Sequence, residues 1–399
     1  MVGRESAKNS RSATARRCGV VVGGAVSAFV AAAAMATGSA APAKADFEAL
    51  IDPIIQPLLT SFTDSLAALD PAAALDITSW TDSLLSSLGS IDLALPSVAE
   101  PAAAAASSSA DAAASTGGTI PLTVLENTEP AVNASIDGGS TVPLLVDTGS
   151  SGLVVPWQDL GTNNFQALDH LFQLGAPTGI SQSGYSGGVD YFYLTYNSVP
   201  VDYAGGLTTT GPVDVEVYSW DPNNLLSLFT NNAFQNFLTG NAVQGILGIG
   251  ENTAGPTTSP FESFNGVLVD IPNHELVVGA DPLTGGTTVS GDPISTLYET
   301  VSNSGTVAGG SAVSNDVDSG GVYGTIPSSL AGKLEPGSVI SVYNSNGGTL
   351  LYQYTLGNDS TTYPTSVSGN SIDSGVAPFL QEPIYLDYIN HTQTFYPSS

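Results

Sequence analysis

Apolar and polar residues follow two different patterns along the chain, a helical one and then a strand-like one. In residues 46–96, apolar side chains recur at helical spacing, and Pro53, Pro57 and Pro71 divide this segment into short pieces. The positions that carry this period are Leu50, Ile51, Ile54, Ile55, Leu58 and Leu59. Residues 97–118 are rich in Ala and Ser, which predicts a flexible linker.

The strand-like pattern begins near Ile120 and continues to the end of the chain. Apolar and polar residues alternate there in short runs bounded by Gly and Pro, which is typical of half-buried strands. The clearest runs are 122–125, 131–136, 191–196 and 213–217. The sequence therefore predicts a mostly β region over residues 119–399, preceded by a small helical segment.

The first 45 residues have the composition of an export signal. Residues 1–17 are basic and polar, and residues 18–36 form an apolar run rich in Ala and Val. Residues 43–45 read Ala-Lys-Ala, a small-x-small pattern that predicts cleavage after Ala45. An Arg-Arg pair at 16–17 leaves both Sec and twin-arginine export open. The alternative is that the apolar run remains as a membrane anchor. No later stretch is long and apolar enough to span a bilayer.

Charge excludes several classes of partner. The chain has 7 basic and 36 acidic residues, and Lys333 is the only Lys or Arg beyond residue 45. A surface this acidic repels nucleic acids and anionic lipids, so we expect no nucleic-acid binding. Because no stretch after the apolar run is long and apolar enough to span a bilayer, we expect no integral membrane span after signal removal. Cys18 is the only cysteine, which excludes an internal disulfide and a Cys-based metal site. These properties predict a secreted or cell-envelope protein.

The β region contains a degenerate internal repeat built on two acidic loops. Residues 146–156 read Val-Asp-Thr-Gly-Ser-Ser-Gly-Leu-Val-Val-Pro, and residues 317–327 read Val-Asp-Ser-Gly-Gly-Val-Tyr-Gly-Thr-Ile-Pro. A Gly-turn segment follows each loop, at 245–250 and at 373–380. The predicted strand pairs that end the two halves lie at 267–278 and 385–395.

The two Asp-(Thr/Ser)-Gly loops carry the candidate chemistry. Gly in the third position lets each loop approach its twin, and the hydroxyls of Thr148 and Ser319 are suited to bond the opposite loop. Two carboxylates held about 3 Å apart share one proton, because ionising both is costly. One then acts as a general base on water and the other as a general acid toward a substrate carbonyl. This chemistry needs no metal, cofactor or covalent intermediate.

Residues 142–157 resemble the first active-site region of pepsin-like aspartic proteases, and both loops together resemble the aspartic protease domain of mycobacterial PE-PGRS surface proteins. The resemblance implies an all-β, two-lobed pepsin-like acid protease fold with a short second lobe. Its lobes would span about 119–283 and 284–399. It also implies an endopeptidase that binds extended peptide or protein substrates. The catalytic pair would be Asp147 and Asp318, and the residues that support the loops would be Thr148, Gly149, Ser150, Ser319 and Gly320.

The family also covers its substrate with a hairpin that carries a tyrosine. Tyr185, in the sequence Ser-Gly-Tyr-Ser-Gly-Gly, is the candidate for this flap, and an ordinary Gly-rich hairpin is the alternative. Gly321 departs from the family, because many relatives have Ser or Thr there, and this predicts one missing hydrogen bond to a catalytic carboxylate. The amino-terminal PE domain of those relatives is not apparent. We expect residues 46–96 to mediate surface attachment or partner contact.

Other readings use some of the same residues. Residues 184–188 match the Gly-x-Ser-x-Gly elbow of serine hydrolases, but an alternating strand follows where that motif needs a helix. Asp373-Ser374-Gly375 is an alternative second acidic loop, although it lacks the apolar-Pro continuation. Residues 316–327 begin like a calcium loop but have Pro where it requires Glu. A two-carboxylate glycosidase does not explain Thr/Ser-Gly after both acids. A catalytically silent, pepsin-like surface binding or adhesion module is the non-enzymatic alternative.

Overall fold

The computed structural model describes residues 117–397 apart from 186–187, 225–226, 228–231, 304–305 and 333, and of 306–309 it describes only the backbone. The predicted signal peptide, the 46–96 segment and all but the last two residues of the predicted linker lie outside the described residues. The described part is mostly β-structure, which confirms the predicted fold class. Within it, every helix is too short or too polar to span a bilayer.

Ten strands belong to the first half of the described residues. They are β1 (Gly118–Leu125), β2 (Glu129–Ile136), β3 (Thr141–Asp147), β4 (Ser151–Pro156), β5 (Gly179–Tyr185), β6 (Val189–Tyr203), β7 (Thr208–Trp220), β8 (Gly245–Ile249), β9 (Gly266–Asp270) and β10 (Glu275–Val278). This half also contains helices α1 (Asn164–Gln173) and α2 (Ala233–Gly240) and a 3-10 turn at Trp157–Leu160. All four predicted runs of alternating residues lie within strands, namely β1, β2, β6 and β7.

The second half adds ten shorter or more irregular strands. They are β11 (Thr287–Ser290), β12 (Ile294–Asn303), β13 (Thr306–Asp316), β14 (Thr325–Pro327), β15 (Val339–Tyr343), β16 (Leu350–Thr355), β17 (Thr365–Val367), β18 (Ser371–Asp373), β19 (Ile384–Asp387) and β20 (Thr392–Phe395). One helical turn, α3 (Ser328–Ala331), and a 3-10 turn at Ser360–Thr362 complete it.

The strands form two sheets whose central parts repeat. The first sheet has the order β11-β20-β19-β9-β10-β1-β2-β3-β8-β4-β7-β6-β5, and the second has β16-β15-β12-β13-β18-β14-β17. The run β2-β3-β8-β4-β7 therefore has a counterpart in β12-β13-β18-β14-β17. Both runs alternate antiparallel and parallel pairings in the same sequence. This confirms the internal repeat and places one acidic loop at the end of each central strand.

The last strands of the two halves meet in the first sheet. The predicted strand pairs are present as β9–β10 and β19–β20, and β19 pairs with β9 from Ile384↔Val269 to Asp387↔Gly266. Strands from both sides of the predicted boundary at 283–284 therefore share one sheet. This shared sheet joins the halves by backbone hydrogen bonds as well as by side-chain packing.

The central strands are buried on both faces, which explains their continuous apolar sequences. β4 and β8 have no exposed residue, and Leu144, Leu145 and Val146 of β3 are fully buried. Burying a Leu or Val side chain stabilises the fold by roughly 1.5–3 kcal/mol. The acidic loop that follows β3 therefore starts from a rigid strand in the core.

Candidate active site

Asp147 is the last residue of β3, and its loop turns the chain into β4. The parallel neighbour β8 holds it in place, with Asp147 in register with Gly248. Only 3% of Asp147 is exposed to solvent. The hydroxyl of Ser150 donates a hydrogen bond of 2.7 Å to Oδ2 of Asp147. This loop therefore presents a carboxyl that is buried but held by a donor from its own turn.

Asp318 lies two residues beyond β13, in a loop of the same form. Val317 is fully buried and Asp318 is 2% exposed. The backbone N–H of Gly320 donates to Oδ1 of Asp318 at 2.8 Å, and the backbone N–H of Asp318 donates to Oγ of Ser374 at 3.0 Å. The residue after β18 thus fixes the backbone of the second acidic loop.

Four hydrogen bonds tie the two loops together in a symmetric pattern. Oγ1 of Thr148 donates to the carbonyl of Val317 at 2.6 Å and accepts from the N–H of Ser319 at 2.8 Å. Oγ of Ser319 donates to the carbonyl of Val146 at 2.6 Å and accepts from the N–H of Thr148 at 3.1 Å. All these groups are buried, so each bond satisfies atoms that water does not reach. The structure thus brings the two predicted hydroxyls together across the loops.

The third residue of each loop lies against the carboxyl of the other loop. The N–H of Gly149 donates to Oδ1 of Asp318 at 3.2 Å, and a Cβ on Gly149 would overlap that carboxyl group. A Cβ on Gly320 would lie 2.7 Å from Cγ of Asp147, which is closer than real Cβ contacts come. Glycine is therefore required here because any side chain would push the two acids apart.

The carboxyls of Asp147 and Asp318 lie close enough for each to affect the protonation of the other. Burial raises the pKa of Asp147, and hydrogen bonds from Ser150 and Asp318 oppose that rise. Burial also raises the pKa of Asp318 well above its usual range, and the negative charge of Asp147 raises it further. The pair is therefore suited to hold a proton, with Asp318 as the more basic member.

Tyr185, the flap candidate, is the last residue of β5, at the hairpin that leads to β6. The tip of this hairpin, 186–187, lies outside the described residues. The Tyr185 side chain is buried, and its ring stacks on Tyr191 and Phe237 with centroids 5.8 and 5.7 Å apart. A substrate-covering role for Tyr185 stays a prediction.

The serine-hydrolase reading does not match its structural context. Gly184 and Tyr185 end β5, and Gly188 comes directly before its antiparallel partner β6, whereas a nucleophile elbow lies between a strand and a helix. Nδ1 of His170 lies 3.5 Å from Asp137, and Nδ1 of His391 lies 3.4 Å from Asp292.

Over the described residues, no three His, Cys, Asp or Glu side chains are grouped so that they could hold a metal ion.

Asp373, the alternative second carboxylate, lies next to Asp318. A Cβ on Gly321 would overlap Oδ1 of Asp373 and lie 2.8 Å from Oδ2 of Asp318. Of these two acids, Asp318 is the one whose carboxyl receives the N–H of Gly149 from the opposite loop. The structure therefore places three carboxyls in one site, with Asp147 and Asp318 facing each other.

Sequence reasoning missed Glu129 beside this site, and it named Ser374 only within the alternative acidic loop, without its bond to Asp318. Glu129 is 2% exposed, and burial together with the charge of Asp147 raises its pKa to about 8. The β2–β3 pairing reaches Ala131↔Leu145, and Glu129 and Asp147 each lie two residues beyond that pair, so the position of Glu129 follows only when strand pairing is known. Ser374 corresponds in the repeat to Leu247, and a residue-by-residue alignment of the halves would have indicated it.

Comparison with known proteins decides the family. A family model described as the PE-PGRS C-terminal aspartyl peptidase-like domain matches residues 118–395. The chain belongs to this family. The matched range includes both acidic loops and every strand described above, so the aspartyl peptidase-like family covers the whole two-sheet fold.

Two curated relatives of this aspartyl peptidase-like chain have the name PE cleavage protein A. The protein of Mycobacterium tuberculosis (strain CDC 1551 / Oshkosh) is 37% identical over 294 residues, which cover 68% of this chain and 50% of the relative. The protein of Mycobacterium marinum is 38% identical over 290 residues, with the same two coverages. The chain thus spans about half the length of the curated relatives it matches.

A solved structure of an aspartic proteinase from Irpex lacteus is also similar to the chain. The match covers 71% of this chain and 98% of the proteinase, with a TM-score of 0.49 and 15% sequence identity.

Proposed function

We propose that this chain is an aspartic endopeptidase in which Asp147 and Asp318 share one proton and activate a water molecule. The observation that carries the proposal is the pair of buried carboxyls, locked face to face by Thr148 and Ser319 from opposite loops. Family membership supports the same reaction class. Four cross-loop hydrogen bonds and two obligatory glycines are an arrangement suited to keeping the acids together.

In the proposed reaction, Asp147 begins as the carboxylate and Asp318 as the acid. Asp147 takes a proton from a water molecule held between the two groups, while Asp318 donates its proton to the carbonyl oxygen of the scissile peptide bond. Water attacks the carbonyl carbon, and a tetrahedral diol forms. The proton on Asp147 then moves to the leaving nitrogen, the C–N bond breaks, and the remaining diol proton returns to Asp318. The direction of proton transfer is supported by the Ser150 hydroxyl, which stabilises the carboxylate form of Asp147, and by the acidic neighbours of Asp318, which favour its neutral form.

The proposed substrates are extended segments of secreted or cell-surface proteins. Main-chain groups of an extended peptide suit a β-rich cleft, because they pair with strand edges and hairpins. The curated relatives are named for PE cleavage. We include PE proteins among the candidate substrates of this chain.

We further propose that the chain is exported with a signal cleaved after Ala45, and that residues 46–96 hold it at the cell surface. The basic start, the apolar run and the small-x-small site support export. Amino-terminal sequencing of the protein from culture filtrate and from cell envelope is expected to give Asp46 as the first residue. A protein that still begins with its basic segment in both fractions would contradict the proposal.

The decisive test of the reaction is peptide-library digestion between pH 3 and pH 7, with and without pepstatin, for four proteins. Asp147→Asn and Asp318→Asn are each expected to lose more than about a thousandfold in kcat/KM, because each removes one of two groups that act as a unit. Asp359→Asn, a change of an exposed carboxyl in the second half, is the matched control and should retain wild-type activity. Wild-type cleavage that survives in either dyad variant would overturn the proposal. Host-protein or carbohydrate binding by a wild-type protein that cleaves nothing would favour the silent adhesion module.

A further inference from the structure

The repeat places two acids in the second half where the first half has two apolar residues. Leu145 of β3 is in register with Ile246 of β8, and both are fully buried in an apolar cluster. At the same place in the second half, Asp316 of β13 is in register with Asp373 of β18. Apolar packing thus supports the first acidic loop, whereas two carboxyl groups occupy the corresponding positions next to the second loop.

A second difference lies in the fourth residue of each acidic loop. In the first loop, Ser150 donates its hydroxyl proton to Oδ2 of Asp147 at 2.7 Å. The second loop has Gly321 at this position, so Oδ2 of Asp318 lacks the equivalent hydroxyl. The space is already filled, because a Cβ at 321 would overlap Oδ1 of Asp373 and lie 2.8 Å from Oδ2 of Asp318.

We propose that Asp373 is a positioning residue: its carboxylate fills the place of the missing loop hydroxyl and accepts a hydrogen bond from protonated Asp318, which holds the outer oxygen of Asp318 in place for proton transfer. The inference rests on the proposed function, because it assigns a role within the same Asp147–Asp318 pair. It explains two departures together: Gly321 removes a side chain for which there is no room, and Asp373 supplies the polar group from β18 instead.

Asp373 is itself held by its own turn. Its Oδ1 accepts the backbone N–H of Gly375 at 2.9 Å, and the next residue, Ser374, accepts the N–H of Asp318. The short segment from 373 to 375 therefore contacts the backbone of Asp318 and lies beside its carboxyl group. A residue in this position can orient Asp318 without touching the substrate.

The electrostatic effect of this arrangement has a definite sign. The titratable groups that face Asp318 are Asp147 from the opposite loop, Asp373 from β18 and Asp316 from β13, and each raises the pKa of Asp318. Glu129 in turn lies near Asp147. A higher pKa lets Asp318 keep its proton to a higher pH, so the acidic neighbours extend activity toward neutral pH.

The first experiment measures kcat/KM against pH for wild type, Asp373→Asn and the control Asp359→Asn. Asparagine keeps the shape of Asp373 but removes its charge, so the basic limb of the profile should move to lower pH by about one unit. The activity at the optimum should fall by about tenfold. A profile identical to that of Asp359→Asn would overturn the proposal. Complete inactivity at every pH, as in Asp147→Asn, would also overturn it, because Asp373 would then be a catalytic residue.

The second experiment tests the exchange of space between Gly321 and Asp373. Gly321→Ser alone should lower both the melting temperature and kcat/KM, because the new side chain overlaps the Asp373 carboxyl. The double variant Gly321→Ser with Asp373→Ala should recover the melting temperature and most of the activity, since the serine hydroxyl then takes the role that Ser150 has in the first loop. A double variant no more stable than Gly321→Ser would contradict the proposal.

The melting temperatures separate this inference from the proposed function. If the wild type cleaves no peptide at any pH, the endopeptidase proposal fails, and with it the role of Asp373 in proton transfer. Rescue of the melting temperature in the double variant would still show that Asp373 fills the space of the loop hydroxyl. If the wild type is active but the basic limb does not shift and the double variant does not recover its melting temperature, only the Asp373 proposal fails.

Discussion

At the scale of single residues, the site depends on side chains that serve both halves of the molecule at once. The hydroxyl of Thr148 pairs with one donor and one acceptor on the opposite loop, namely the N–H of Ser319 and the carbonyl of Val317. Both partners are buried, so neither can bond to water if the Thr148 hydroxyl is removed. An unpaired buried backbone group costs about 1–3 kcal/mol, which is more than the net value of a typical hydrogen bond.

Thr148→Val tests this dependence, because it keeps the shape of the side chain and removes only the hydroxyl. We expect the free energy of unfolding to fall by about 2–4 kcal/mol, since one donor and one acceptor are left unpaired. Urea denaturation measures the change. Thr178→Val is the control, because the Thr178 hydroxyl donates to Thr195 at an exposed position. Equal losses in both variants would contradict the prediction.

At the scale of elements, the C-terminal hairpin of β19 and β20 closes the first sheet. β19 pairs with β9, and β20 pairs with β11. Just after β19, the hydroxyl of Tyr388 donates to the carbonyl of Ile249 at 2.6 Å, and Ile249 is the last residue of the Gly-turn strand β8. The hairpin therefore supports the first acidic loop through β8, although it comes from the other end of the chain.

Leu386→Ala tests the contribution of this hairpin. Leu386 lies in β19 and is fully buried, so the truncation should leave a cavity that costs about 2–5 kcal/mol of unfolding free energy. Thermal and urea unfolding should remain single transitions, because the shared sheet couples the halves. Ile389→Ala is the control, since Ile389 is 66% exposed and lies just beyond β19. A local transition confined to one half would argue against the shared sheet as a coupling element.

At the scale of the whole molecule, buried carboxyls outnumber the cations that might neutralise them. Lys333 is the only Lys or Arg after residue 45, so buried acids avoid charge by holding their protons. Burial raises the pKa of Glu129 and of Glu299 to about 8, and that of Glu216 to about 7. The folded chain therefore binds more protons than the unfolded chain at mildly acidic pH.

The direction of the resulting pH dependence follows from these raised pKa values. The neutral form of Glu299 is favoured in the folded state, whereas the unfolded chain releases this proton above its usual pKa of 4.5. The stability associated with Glu299 is thus fully present below about pH 4.5 and is lost as the pH rises to about 8. The domain should therefore be most stable in acidic medium.

Glu299→Gln separates this effect from the general charge of the surface. Glutamine resembles the protonated carboxyl, so the melting temperature of the variant should match that of the wild type near pH 4 and exceed it near pH 8. The gain in unfolding free energy at pH 8 should be on the order of a few kcal/mol. Differential scanning calorimetry between pH 4 and pH 8 measures both curves. Glu275→Gln, at an exposed site, should follow the wild-type curve throughout. Parallel curves for Glu299→Gln and wild type would sink the prediction.

What could be predicted from sequence is what is encoded by neighbouring residues. The alternation of apolar and polar residues predicts β1, β2, β6 and β7, because strand side chains alternate between two faces. The two acidic loops are recognisable because glycine at their third position is a local requirement of close approach. The repeat follows from comparing one stretch of sequence with another, so it too needs no knowledge of the fold.

What only the tertiary structure decided depends on residues far apart in the chain. The pairing of β19 with β9 and the closeness of Glu129 to Asp147 follow from strand pairing, which no short run of residues specifies. Asp373 was predicted as a rival to Asp318, and the fold instead places it beside Asp318, in the space left by Gly321. Short-range sequence thus determined which groups are available for chemistry. Long-range pairing of strands determined which of them share a site, because the distance between two side chains is set by the sheet rather than by their spacing along the chain.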